Sequence, residues 1–495
     1  MSIRRNTAYN LVGGVIPILT ALLSVPIYIH LIGEARYGVL AIAWMFLGYF
    51  GLFDLGLGRA TSFRVASLRD ATAQERADTF WAALAVNCAM GGVGAAALWG
   101  VAAWFFAHVL KVDEHLRPEI VASVPLLALS VPVATITGVL TGALQGRERF
   151  LKTNVVSVVS TFLFQGLPLL LAWKVGPNLV LILAAALLAR GLAMGVLAWW
   201  CFHELVRGPR ARLHKGEAPL LLKYGGWVTV TSIIGPWLLM MDRFAIGATL
   251  GAVAVAIYTV PLQLAKQVAV FPGALTGALF PSLSAASVET RQRYAVNAVY
   301  ALSAMVSLPV LAGIFLIDPV MHLWIGRSIA KAGTPVGRIL LIGFWSNAFA
   351  LIPYTVLQSR GRPDLVTKIT LAEIPFYFLI LWLGLKAWGV EGVGVAVAVR
   401  LTADYLLLSW VAERAFPAWP TLLGNLALLL IGLWLASLFG FHDWRWWACG
   451  SALGLAMVGL NWATLPSELR RRVIDWLSRY GGGRVFRPVA AGADK

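Results

Sequence analysis

Residues 28–64, YIHLIGEARYGVLAIAWMFLGYFGLFDLGLGRATSFR, hold the end of one apolar helix, a turn at Gly33-Glu34-Ala35-Arg36, and a second apolar helix. The second helix closes on Phe53-Asp54-Leu55-Gly56-Leu57-Gly58-Arg59. An aspartate just inside the end of an apolar run, followed by glycines and then arginines, marks an exit from a membrane. The apolar run crosses lipid, the glycines allow close helix contact, and Arg59 and Arg64 anchor the cytoplasmic side. Once this hairpin is placed, the later helices can be oriented.

The composition agrees. Of 495 residues, 59% are hydrophobic and 13% charged, and 21 are tryptophan. Soluble domains carry about a quarter charged residues, so this chain reads as an all-α integral membrane protein. No polar segment is long enough for a soluble catalytic domain. The net charge of +17 has its source in basic loops held on the cytoplasmic side, not in nucleic-acid binding. Cys88, Cys201 and Cys449 lie in or beside apolar runs without metal-ligand spacing and read as packing residues. The N-terminal run carries Pro17 and Pro26 and leads straight into the next span, so it reads as an uncleaved first helix.

Fourteen candidate spans follow, at roughly 10–31, 38–58, 79–107, 119–142, 154–173, 178–202, 226–246, 251–273, 297–317, 338–357, 367–386, 392–412, 422–440 and 446–465. With the N-terminus inside, cytoplasmic segments hold about 27 Lys and Arg and external ones about 9. Miscounting one span would destroy that asymmetry, so both termini are expected in the cytoplasm. A faint repeat is visible. Leu144-Gln145-Gly146-Arg147 ends the fourth span and Leu357-Gln358-Ser359-Arg360 ends the tenth, while Ile32-Gly33 has its counterpart in Leu250-Gly251. The expected organisation is a six-helix bundle over 1–215, a second over 216–415 in parallel orientation, an extra pair over 416–466, and a cytoplasmic amphipathic helix with a tail over 467–495.

Catalytic signatures are missing. There is no P-loop, no Gly-x-Ser-x-Gly and no histidine pair at metal spacing, so neither enzyme activity nor a metal or cofactor is expected. What remains is a set of ionisable residues within spans, which are costly in lipid and mark functional candidates. The basic ones are Arg190, Arg243, Lys266 and Arg400. The acidic ones are Asp54, Asp242, Glu373 and Asp404, with ion coupling or structural pairing as their roles. Arg400 and Asp404 are four apart and share a helix face. Asp242 and Arg243 are adjacent, so one of them must reach a cavity or another helix. Arg190 and Lys266 have no partner at short spacing and are the candidates to hold an anion. A cavity lined by Arg and Lys suits a phosphorylated or pyrophosphorylated cargo, because Arg grips phosphate oxygens in a bidentate way. Aromatic residues including Tyr28, Trp44, Tyr258 and Tyr377 offer flat faces to sugar rings, or simply pack.

Asn10, Pro26-Ile27-Tyr28, Ile32-Gly33, Tyr37-Gly38 and Asp54-Leu55-Gly56-Leu57 resemble the opening of the Wzx-type oligosaccharide flippases, the polysaccharide transporter branch of the MOP superfamily. Asp242-Arg243, Leu250-Gly251 and Tyr258 resemble the start of that family's second half. The resemblance implies two six-helix bundles around a V-shaped central cavity in the bacterial cytoplasmic membrane. It implies alternating access for an undecaprenyl-pyrophosphate-linked oligosaccharide, in contact with membrane lipid and with polysaccharide polymerase and chain-length proteins as partners. It also implies a lipid-tail groove for the last helix pair, by analogy with the related lipid II flippase. Two other readings compete: a multidrug antiporter of the same superfamily, and a membrane scaffold that recruits a polymerase. Antiporters typically show twelve spans and an acidic cavity, so fourteen spans and unpaired basic residues favour the flippase.

Overall fold

A computed structural model describes residues 22–49, 72–147, 149–206, 240–273, 287–360, 362–412 and 418–471, with a few isolated positions besides. Among these residues the chain is all helical, and nine helices are long and apolar enough to cross a membrane. The helices are α1 (Leu22–Ile32), α2 (Glu34–Tyr49), α3 (Ala73–Trp104), α4 (Arg117–Gly146), α5 (Phe150–Val175) and α6 (Leu179–Cys201). They continue with α7 (Ala252–Ala265), α8 (Val288–Ile325), α9 (Arg327–Ser359), α10 (Pro363–Val411), α11 (Trp419–Leu438) and α12 (Trp444–Thr464).

Their exposed surfaces are apolar. Trp173, Leu323, Phe376, Trp410 and Leu455 are each more than 60% exposed. Water would not tolerate that pattern over so many helices, and hydrocarbon does. Polar chemistry gathers at the helix ends. Thr72 caps α3 in a capping box with Glu75, Asn178 caps α6, and Asp443 caps α12.

The expected spans 367–386 and 392–412 both fall within α10. The backbone leaves helical geometry at Trp388 and Gly389, where φ is −133° and +57°. Gly384 and Gly392 flank that break at backbone contact. Most of the expected seventh span, half of the first, and the segment from Arg207 to Lys223 lie outside the described residues, as do Asp54, half of the amphipathic helix and the tail.

Two compact units emerge. One comprises Met1–Gln263, Val320–Val336 and Thr370–Val397; the other comprises Leu264–Pro319, Gly337–Ile369 and Ala398–Lys495.

In the first unit, Phe80, Val139, Leu140, Ala143, Leu197 and Cys201 form a buried core shared by α3, α4 and α6. The helix connections are knotted together. Arg36 donates through Nε and Nη2 to Glu119 Oε2 at 3.2 and 3.1 Å, and Glu119 Oε1 accepts the Leu179 backbone N–H at 2.5 Å. One carboxylate thus ties three connections, those before α2, α4 and α6. Close by in sequence, the backbone N–H of Lys111 donates to Gly247 at 3.2 Å, and its carbonyl accepts from Ala252 at 3.2 Å. Gly38 completes this seam. A Cβ there would lie 1.8 Å from the Ala252 carbonyl oxygen, so no other residue fits. Gly33 and Gly251 end their helices with φ of +82° and +89°, a left-handed cap that glycine adopts without strain. They stand 218 positions apart (251 minus 33), close to the 213 (357 minus 144) that separates Leu144-Gln145 from Leu357-Gln358.

In the second unit, α11 and α12 are clasped to α8. Asn425 Nδ2 donates to Ser303 Oγ at 2.8 Å and to Asn461 Oδ1 at 3.1 Å, and Asn461 Nδ2 returns a bond to Asn425 Oδ1 at 3.0 Å. Interhelical amide pairs of this kind hold helices together where lipid supplies no hydrophobic drive. Phe315 of α8 packs edge-on against Trp446 of α12 at 5.2 Å between centroids.

Candidate functional site

The site grows from four first-unit helices. Ser24 and Tyr28 are one turn apart on α1. Tyr37 and Trp44 are two turns apart on α2, so they share a face. The Tyr28 hydroxyl donates to the Gln165 carbonyl at 2.9 Å, and Ser24 Oγ donates to Gln165 Oε1 at 3.3 Å. These bonds tie α1 to α5 three residues before Pro168, within a helix whose regular hydrogen bonding that proline interrupts. The Trp44 indole sits inside the frame they make. Tyr28 meets it edge-on at 4.8 Å and 77°, Tyr37 at 6.4 Å and 83°, and Phe164 of α5 lies 6.1 Å away.

Arg190 enters this group from α6. Its guanidinium carbon lies 4.6 Å from the centre of the Phe164 ring, a cation–π distance. Its Nε is buried and, among the described residues, has no hydrogen-bond acceptor and no carboxylate in ion-pair contact. The indole nitrogen of Trp44 is likewise buried without an acceptor among the described residues. Isolated cations at membrane depth are expensive, and here the aromatic ring is the counterweight the described structure supplies.

Asp242 and Arg243 form the neighbouring cluster. Both are buried, at 3% and 5% exposure. The Asp242 carboxylate makes two hydrogen bonds. Its Oδ1 accepts the Arg243 backbone N–H at 2.7 Å, and its Oδ2 accepts the Tyr258 hydroxyl at 2.5 Å. The Asp242-to-Tyr258 spacing that carried the resemblance is therefore a side-chain clasp between the 240–249 helical stretch and α7. Arg243 lies in electrostatic range of both Tyr37 and Tyr258. The aromatic row Phe164–Trp44–Tyr37 thus runs from one guanidinium towards another.

The remaining candidates are distributed. Glu373 is buried on the part of α10 that belongs to the first unit. Lys266 opens a tight 3-10 turn, Lys266–Ala269, in the second unit. Arg400 and Asp404 lie one turn apart in the second-unit part of α10 and interact electrostatically, as their spacing implies.

Known proteins can now be set beside this geometry. Residues 3–287 match the family model described as "Polysaccharide biosynthesis protein". The chain belongs to that family. Over 415 residues it is 28% identical to a Shigella flexneri protein named "Putative O-antigen transporter", covering 84% of this chain and 98% of that one. Among solved structures, the lipid II flippase MurJ in an inward closed conformation superposes with a TM-score of 0.72 at 13% identity, covering 94% of this chain and all of that one. An inward-facing multidrug resistance MATE transporter of the MOP superfamily superposes at 0.66 and 17% identity, covering 82% and 98%. These likenesses show the fold of the MOP transporters. This member of the polysaccharide biosynthesis family is a multi-pass helical membrane protein.

One buried cation escaped the sequence reading. Arg338 of α9 is 6% exposed, and its Nε donates to the Ile314 carbonyl on α8 at 3.1 Å, with Asp318 in electrostatic range. Gly333-Thr334-Pro335 before it reads as a loop ending at the membrane edge. The helix instead starts at Arg327 and carries Arg338 inside.

Proposed function

We propose that this protein carries an undecaprenyl-pyrophosphate-linked oligosaccharide from the cytoplasmic to the external leaflet of the bacterial cytoplasmic membrane, for surface polysaccharide assembly. The observation that carries this reading is the Arg190 guanidinium, held on an aromatic ring with no hydrogen bond or ion pair among the described residues. A half-buried cation in an apolar helix, without a counter-charge among the described residues, is suited to an anionic cargo, and the family and the O-antigen relative supply the class of cargo. Sugars and a diphosphate cannot cross roughly 30 Å of hydrocarbon unaided. A cationic path gives them a route while the lipid tail stays in the bilayer.

In this reading Arg243, Lys266 and Arg400 line the rest of the path, and the acidic residues serve pairing or coupling. The helices form two six-helix bundles followed by an extra pair, with both termini cytoplasmic, and alternating access moves the cargo. The 218-residue offset between the left-handed caps at Gly33 and Gly251 supports the duplication.

The test is the lipid pool of a deletion strain. Mass spectrometry of the lipid extract should show an undecaprenyl-pyrophosphate glycan that accumulates, and that wild-type protein clears. An unchanged pool with increased sensitivity to cationic drugs would overturn the flippase reading in favour of an antiporter.

A further inference from the structure

We propose that Trp44 and Arg190 together form an oxyanion site within the α1, α2, α5 and α6 group, with the indole N–H of Trp44 as a second donor to the same diphosphate. The inference rests on the flippase reading for the carrier of that diphosphate, and on the geometry alone for the anion.

Three observations carry it. Trp44 Nε1–H and Arg190 Nε–H are both buried, and neither has an acceptor among the described residues. Both groups only donate, so the missing partner is an acceptor. They also border one ring, since the Phe164 centre lies 6.1 Å from the Trp44 ring and 4.6 Å from the Arg190 guanidinium carbon. The nearby hydroxyls of Tyr28 and Ser24 donate to Gln165, not to any group shared with Trp44.

A tryptophan used purely for packing turns its N–H to an acceptor or to solvent, because a buried, unpaired N–H is destabilising. Here two such donors are kept beside one aromatic wall. An anion removes both deficits at once. A diphosphate carries oxygens on both phosphorus atoms and has the length to serve two donors bordering one ring. Its charge-assisted bonds to a guanidinium are among the stronger polar contacts a protein makes. Tyr28 and Tyr37, edge-on to the indole, fix the direction of the Trp44 N–H, so that the donor is set before the anion arrives.

The test uses full-length protein in nanodiscs, labelled with 5-fluorotryptophan. The Trp44 fluorine signal is assigned by its loss in Trp44→Phe, which keeps an aromatic ring and removes the N–H. Inorganic pyrophosphate is titrated first and undecaprenyl pyrophosphate second. The Trp44 signal should shift saturably, and Arg190→Gln should abolish the shift while Arg190→Lys retains part of it. By calorimetry, Trp44→Phe should bind pyrophosphate about 10–100-fold more weakly, the scale of one lost hydrogen bond to a charged group. A response to both anions assigns a site open to free diphosphate, and a response to the lipid form alone assigns the lipid carrier; either supports the proposal. A Trp44 signal that ignores both anions, a shift that persists in Arg190→Gln, or wild-type affinity in Trp44→Phe would overturn it. A saturable Trp44 response with an unchanged lipid pool in the deletion strain would keep the site and reject the cargo.

Discussion

Arg190 in α6 and Arg338 in α9 each carry a guanidinium into an apolar helix, and their surroundings differ. Arg338 donates to the Ile314 carbonyl and has Asp318 in electrostatic range, so its own chain meets its needs. Arg190 rests on Phe164 and keeps a buried N–H without an acceptor among the described residues. Similar side chains in similar helices therefore do different work. A cation whose partners are built into the fold holds helices together, whereas in the proposed reading Arg190 is left for a ligand. The inventory of acceptors among the described residues separates the two cases.

The sharpest way to break this comparison is to neutralise each arginine. Arg190→Gln should lower transport by roughly 100-fold, the scale of a lost charge-assisted contact of about 3 kcal/mol, when clearance of the accumulated glycan is measured against protein level. Its unfolding temperature in detergent should not fall, because the change removes an uncompensated charge. Arg338→Met should do the reverse. It leaves the Ile314 carbonyl and Asp318 without their cation, so stability should drop by about 3 kcal/mol in thermal unfolding, while each folded molecule still transports. If both variants lose stability alike, the distinction fails.

A smaller effect sharpens it further. The Asn425–Asn461 pair is a neutral clasp met wholly by its own chain. Asn461→Leu should cost about 1–2 kcal/mol by the same thermal assay. The Asn425→Leu, Asn461→Leu double variant should recover part of that loss, since it leaves neither amide unpaired.

The spans were legible because an apolar stretch of roughly 20 residues admits few other readings. The break between the two limbs of α10 was legible too, since Gly389 and Glu391 interrupt the hydrophobic run. The site was legible only in part. Arg190 stood out as an ion without a neighbour at helical spacing. Its platform did not, because Trp44 and Phe164 lie on helices far away in sequence and no local spacing links them. Arg338 was lost to punctuation. Gly333, Pro335 and Gly337 look like a loop, whereas the chain runs helical through all three. Asp242 and Tyr258 could be matched as a motif, but their direct bond required coordinates.

The seam at Lys111 is made by main-chain atoms alone, paired to Gly247 and Ala252. Such a contact leaves no fingerprint in the alphabet of side chains. Position 111 is free to drift towards any residue that keeps its amide proton, and the seam stays the same. Chains that differ at position 111 can therefore share the joint, and a letter it does demand nearby is the glycine at 38.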